Sequence, residues 1–123
     1  MAVKRINVGI LGFGSMGKTH SFAISNFKFY MSDLLFDANL YGVCTTSIEK
    51  SRAVCDKYGF QLATDNEADL IYNPDVDVID ICTPNIYHYE TLKKAIAAGK
   101  HIYCEKPLCI NAEQAREISR LAK

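Results

Sequence analysis

Three stretches of this 123-residue chain carry residue types whose spacing could do chemistry. The first is Gly12-Phe13-Gly14-Ser15-Met16-Gly17, a Gly-x-Gly-x-x-Gly pattern between an apolar run and a helical one. Gly12 permits a tight turn, Gly14 lets backbone approach a pyrophosphate with no β-carbon in the way, and Gly17 lets helix pack closely on strand. Ser15 and Met16 open the helix, whose free N–H groups and positive dipole end would meet the phosphates. The motif therefore predicts a dinucleotide site that includes Gly12, Gly14, Ser15 and Met16. A glycine turn that holds no ligand is the competing reading, and placement directly after a strand favours binding.

The second stretch sets the choice of dinucleotide. An Asp or Glu at the tip of the second strand ordinarily accepts from the adenosine ribose hydroxyls. Asp33 and Asp37 have the sequence separation but precede that strand, so they are rejected. The strand ends in Thr45-Thr46-Ser47, with Lys50 and Arg52 in the first turns of the next helix. Hydroxyls and cations suit a 2′-phosphate better than a bare diol, which leans the cofactor toward NADP over NAD. The alternative gives Thr46 only a helix cap and leaves the cations solvated.

The third comprises Thr83-Pro84-Asn85 with His88, and then Glu105-Lys106-Pro107 after the apolar pair Ile102-Tyr103. Ligands of open α/β sheets lie beyond the carboxyl ends of the strands, so Glu105 and Lys106 would be delivered to the cleft. Alone, they would read as an exposed strand end followed by a turn-starting proline.

The elements that must position these residues alternate. Strand-like runs fall at Ile6–Leu11, Leu40–Thr45, Val78–Cys82 and His101–Cys104, with a weaker one at Gln61–Ala63. Met16, His20, Ala23, Ile24 and Phe27 give the inner face of a first helix. Thr46 and Glu49 have capping-box spacing for a second, which Gly59 can end. Leu92, Ala95 and Ile96 line a third, closed by Gly99, and Asn111 with Gln114 opens a last one. Lys28–Asn39 is expected to be a helix extension plus a loop. Right-handed crossovers turn this series into an α/β Rossmann fold: a doubly wound, mostly parallel sheet of order 3-2-1-4-5. One domain spans 1–123.

Composition excludes several classes. Fourteen basic residues balance fourteen acidic ones and are interleaved with them, so neither nucleic acid nor membrane is an expected partner. No run is long enough to span a bilayer and no signal peptide is evident, which predicts a cytoplasmic protein. Five cysteines without a Cys-x-x-Cys pair and three scattered histidines predict no metal site.

Taken together, the glycine fingerprint extended through His20, Thr83-Pro84-Asn85 with His88, and Glu105-Lys106-Pro107 resemble one family. It is the glucose-fructose oxidoreductase, inositol dehydrogenase and MocA-like (Gfo/Idh/MocA) family of NAD(P)-dependent oxidoreductases. The resemblance covers nearly the whole chain. It implies that Lys106 hydrogen-bonds the nicotinamide ribose and the reacting hydroxyl of a sugar, cyclitol or related substrate, and that the Lys106–Pro107 bond is cis. It also places Thr83, Pro84, Asn85 and Glu105 at the cofactor cleft. His88 is either a cleft residue or a helix-terminus packing residue.

The family adds an α+β domain that holds substrate and supplies a catalytic histidine and aspartate, and these residues do not include it. The chain ends at Lys123 inside an amphipathic pattern. It is therefore expected to be cut, to bind cofactor without appreciable turnover, and to self-associate as a homo-oligomer through apolar surface bared near the fifth strand. A small-molecule substrate is expected only with the missing domain. The rival reading is a non-catalytic NAD(P)-sensing module. Glu105-Lys106-Pro107 favours the enzyme, because a sensor has no need of a lysine at the nicotinamide end.

Overall fold

The computed structural model describes residues 3–123. Five strands form one parallel sheet: β1 (Lys4–Leu11), β2 (Phe36–Cys44), β3 (Leu62–Thr64), β4 (Val78–Ile81) and β5 (His101–Cys104), in the order β3-β2-β1-β4-β5. The helices are α1 (Ser15–Asn26), α2 (Ile48–Tyr58), α3 (Ala68–Ile71), α4 (His88–Ala97) and α5 (Ala112–Leu121). Two apolar clusters divide the core between the sheet faces. Val8, Ile10, Leu40 and Val43 pack toward Ile24 of α1 and Val54 of α2. Leu11, Ile79 and Ile81 pack with Leu70, Leu92, Ala95 and Ile118 from α3, α4 and α5. Strands covered on both faces must be apolar on both, and this is why the central runs show little alternation.

The sequence places every strand but not all of their ends. β1 and β2 begin earlier than expected, and their added residues pair from Lys4↔Phe36 to Asn7↔Asn39. Side chains tie this extension: Arg5 donates to Asn39 at 3.0 Å, and Asn39 to Asn7 at 2.9 Å. These residues are exposed or half-buried, so no apolar run announces them. The connection before β2 is a single 3-10 turn, Phe27–Phe29, followed by irregular chain, close to the expected extension plus loop.

Two helix expectations need correction. α2 is capped by Ser47, whose hydroxyl accepts from the Lys50 N–H at 3.2 Å, and not by a Thr46–Glu49 box. The hydroxyl of Thr45 holds the Ser47 carbonyl at 2.9 Å and so starts the helix one residue later. On α1 the buried residues are Gly17, His20 and Ser21, while Met16 and Ala23 are exposed. The helix is rolled toward its small residues because Gly17 lies against the glycine turn. The remaining caps follow expectation: Gly59 ends α2 at φ 81°, and Asn111 accepts from the Gln114 N–H at 2.9 Å at the start of α5.

Candidate functional site

Parallel pairing brings four strand ends to one edge of the sheet. The Gly12 N–H donates to the Cys44 carbonyl at 2.8 Å, Cys82 N–H to Leu11 at 2.8 Å, and Glu105 N–H to Ile81 at 2.9 Å. The turns after β2, β1, β4 and β5 thus stand side by side, as the 3-2-1-4-5 order requires. A cavity of about 950 Å³ opens along this edge. Gly12, Gly14, Ser15 and Met16 line one side of it. Thr45, Thr46 and Lys50 line the end toward α2, and Thr83 and Pro84 the side toward β4.

The remaining candidates fall outside that lining. Ser47 serves as the α2 cap. Asn85 begins a 3-10 turn, Asn85–Tyr87, that leads into α4. His88 is 1% exposed and sits within hydrogen-bonding distance of two carbonyls, Thr83 at 2.8 Å through Nε2 and Pro107 at 2.9 Å through Nδ1. It ties the turn after β4 to the turn after β5 from beneath. Lys106 is exposed, and the Lys106–Pro107 peptide is cis.

The cavity fits a dinucleotide on three observations. A β-carbon on Gly14 would meet nothing within 4 Å, whereas one on Gly17 or Gly12 would strike backbone, so Gly14 alone of the three leaves room for a ligand. The first turn of α1 has no acidic residue and no side-chain cap, which leaves its N–H groups free for phosphate. The Thr83 hydroxyl is buried beside the cavity without a hydrogen-bond partner. Buried polar groups rarely stay unpaired unless a ligand or water completes them.

Charge sharpens the adenosine end. Lys18, Lys50 and Lys57 line the cavity, and no carboxylate among the described residues does. Lys50, Val54 and Tyr58 repeat at four-residue steps along α2 and continue the wall toward Phe13. Sequence reading missed Lys18, Lys57 and Tyr58; their helical spacing from Gly14 and Lys50 was the available signal.

Beneath the β4 and β5 turns lies a second group that sequence reading missed in part. His20 on α1 reaches Asp80 of β4 through Nδ1, at 3.0 and 2.9 Å, and Glu105 through Nε2, at 2.8 Å. Asp80 is fully buried, and that burial raises its pKa although the hydrogen bond from His20 offsets part of the effect. Burial and the adjacent Asp80 push the Cys82 thiol up as well. His20, Asp80 and Cys82 hold three possible ligand atoms within 4.8 Å of one another, but those atoms already bond to each other. An aspartate inside the apolar run Val78–Ile81 was the sequence signal, since a buried carboxylate requires a partner.

A glycine turn at β1, an uncapped helix start and convergent strand ends define a dinucleotide-binding Rossmann domain. The model of the oxidoreductase family's NAD-binding Rossmann fold matches residues 6–123. The chain belongs to the Gfo/Idh/MocA oxidoreductase family.

It is 33% identical over 114 residues to levoglucosan dehydrogenase of Pseudarthrobacter phenanthrenivorans, covering 93% of this chain and 29% of that one. It is 32% identical over 124 residues to D-glucoside 3-dehydrogenase of Escherichia coli, covering 100% of this chain and 33% of the other. Among solved structures, an NAD binding oxidoreductase from Klebsiella pneumoniae superposes with a TM-score of 0.92 at 38% identity, over 96% of this chain and 31% of that one. Levoglucosan dehydrogenase in complex with NADH and L-sorbose superposes with a TM-score of 0.94 at 32% identity, over 98% and 32% respectively. The chain spans about a third of the length of these relatives. Among the described residues no helix is long and apolar enough to cross a membrane.

Proposed function

We propose that this chain is the cofactor-binding part of an oxidoreductase that moves a hydride between nicotinamide and a carbinol or carbonyl carbon of a sugar or cyclitol. The observation that carries this reading is the shared sheet edge, where the glycine turn, the Thr83-Pro84 turn and Glu105-Lys106-Pro107 follow neighbouring strands. Gly12, Gly14 and the α1 N-terminus would hold the pyrophosphate, and Thr83 would supply its unpaired hydroxyl. Bound nicotinamide supplies the hydride acceptor or donor. Lys106 would hold the substrate hydroxyl and exchange its proton. Levoglucosan, inositol and glucoside dehydrogenases among the relatives support the substrate class.

The cofactor is NADP(H) in preference to NAD(H). Among the described residues three lysines and no acid border the cavity, with Thr46 and Lys50 at the tip of β2, and an acid there would repel a 2′-phosphate. Fluorescence titration of the chain with NADPH and NADH tests both statements. NADPH should bind more tightly. Equal binding would remove the preference, and no binding of either at millimolar concentration would remove the cofactor role.

A further inference from the structure

Glu105 and Pro107 are held from opposite faces of the sheet, and Lys106 stands exposed between them. His20 of α1 holds the Glu105 carboxylate at 2.8 Å, while His88 of α4 holds the Pro107 carbonyl at 2.9 Å. The His20 ring is itself fixed. It stacks on Tyr103 at 4.8 Å between centroids, and its other nitrogen faces both oxygens of Asp80. Register explains the meeting, because Asp80 pairs with Tyr103 across β4 and β5, and both side chains lie on the α1 face.

Donor accounting constrains this group. A carboxylate only accepts, and a neutral imidazole has one N–H. His20 can bond both Asp80 and Glu105 only if the three groups share one proton beyond that of the neutral ring. That proton sits on the imidazole or on one of the two carboxyls, and any placement leaves the cluster with a single negative charge. Losing it sets a lone pair against a carboxylate on one side of the ring. The titratable groups facing His20 are Asp80 and Cys82 from β4, and Tyr103 and Glu105 from β5 and its end.

We propose that His20 is a positioning residue: through the proton it shares with Asp80 and Glu105, it fixes where Lys106 stands at the nicotinamide end of the cleft. This rests on the dinucleotide reading above. Loss of the proton frees Glu105 and lets the turn carrying Lys106 shift.

The test uses the 123-residue chain labelled with ¹⁵N. Through a pH titration, the His20 ring signals and the Glu105 and Lys106 backbone amides should move in one shared transition. In His20→Gln that amide transition should vanish. The affinity ratio of NADPH to adenosine 2′,5′-bisphosphate, its adenine half, should also fall about tenfold or more, which corresponds to about 1.4 kcal/mol. An unchanged ratio in folded His20→Gln overturns the proposal. If that variant does not fold, wild-type Glu105 and Lys106 amides that stay flat while the His20 ring titrates overturn it. Failure of the wild-type chain to bind either nucleotide instead overturns the dinucleotide reading, while the shared titration still judges His20.

Discussion

Gly17 packs so closely on Gly12 that a β-carbon at Gly17 would lie 2.2 Å from the Gly12 carbonyl oxygen. Gly12 itself holds φ 89°, where a side chain is strained, and a β-carbon there would meet the Cys82 carbonyl at 2.8 Å. Two of the three fingerprint glycines are therefore required by the protein's own packing. Gly14 is not: its surroundings are open, and only a ligand would need the space.

This separates the glycines by experiment. Gly17→Ala should lower stability by about 1–3 kcal/mol or more through overpacking. Gly14→Ala should leave the thermal midpoint nearly unchanged while weakening dinucleotide binding about tenfold or more, the equivalent of about 1.4 kcal/mol. Thermal denaturation and nucleotide titration of the two variants give the comparison. A stable Gly14→Ala chain with undiminished affinity would show that backbone at that position does not meet the cofactor.

The basic end of the cavity gives a second prediction. Lys50 projects from the first turn of α2 into a wall that lacks carboxylates among the described residues. A charge-assisted hydrogen bond to phosphate contributes about 1.5–3 kcal/mol. Lys50→Ala should therefore weaken NADPH by about ten- to a hundredfold and barely change NADH. Equal losses for both cofactors would assign Lys50 to the shared part of the ligand.

His88 gives a third. Its two ring nitrogens face the carbonyls of Thr83 and Pro107, and the residue is 1% exposed. A neutral ring donates to one of these carbonyls and only packs against the other, so removing it leaves one carbonyl without its donor and opens a void. Each unsatisfied buried group costs about 1–3 kcal/mol. His88→Ala should lower the urea midpoint by the equivalent of about 2–4 kcal/mol. A loss below about 0.5 kcal/mol would mean that water reaches those carbonyls and that the ring is no tie between the turns.

The sheet was legible because its central strands are buried on both faces, and Ile6–Leu11 or Val78–Ile81 can scarcely be anything else. The outer halves of β1 and β2 were not, since Lys4↔Phe36 and Arg5↔Asp37 pair through backbone with exposed side chains and make no apolar run. Gly12, Gly14, Thr46 and Lys50, which line the cavity, are marked in the sequence by a local motif or a strand tip. The His20–Asp80–Glu105 group is assembled from residues 60 and 85 positions apart. No spacing rule sees it. Only an aspartate in an apolar strand hinted that something must meet it.

The cysteines give a last prediction, and its sign follows from burial. All five thiols are free, and burial raises each above its ordinary range. Cys44 is pushed up to about 11 and Cys104 to about 12, while Cys82 rises further through burial and the adjacent Asp80. The thiolate is the reactive form. At about pH 8 an ordinary cysteine is roughly a quarter ionised, whereas a thiol at about 11 is ionised in roughly one molecule in a thousand. Cys55 and Cys109 rise less, so iodoacetamide should alkylate them first. Cys44, Cys82 and Cys104 should react only as urea unfolds the chain, and peptide mass spectrometry along a urea series gives the order. Early labelling of Cys82, whose thiol meets both His20 and Asp80, would count against a fixed His20–Asp80 pair.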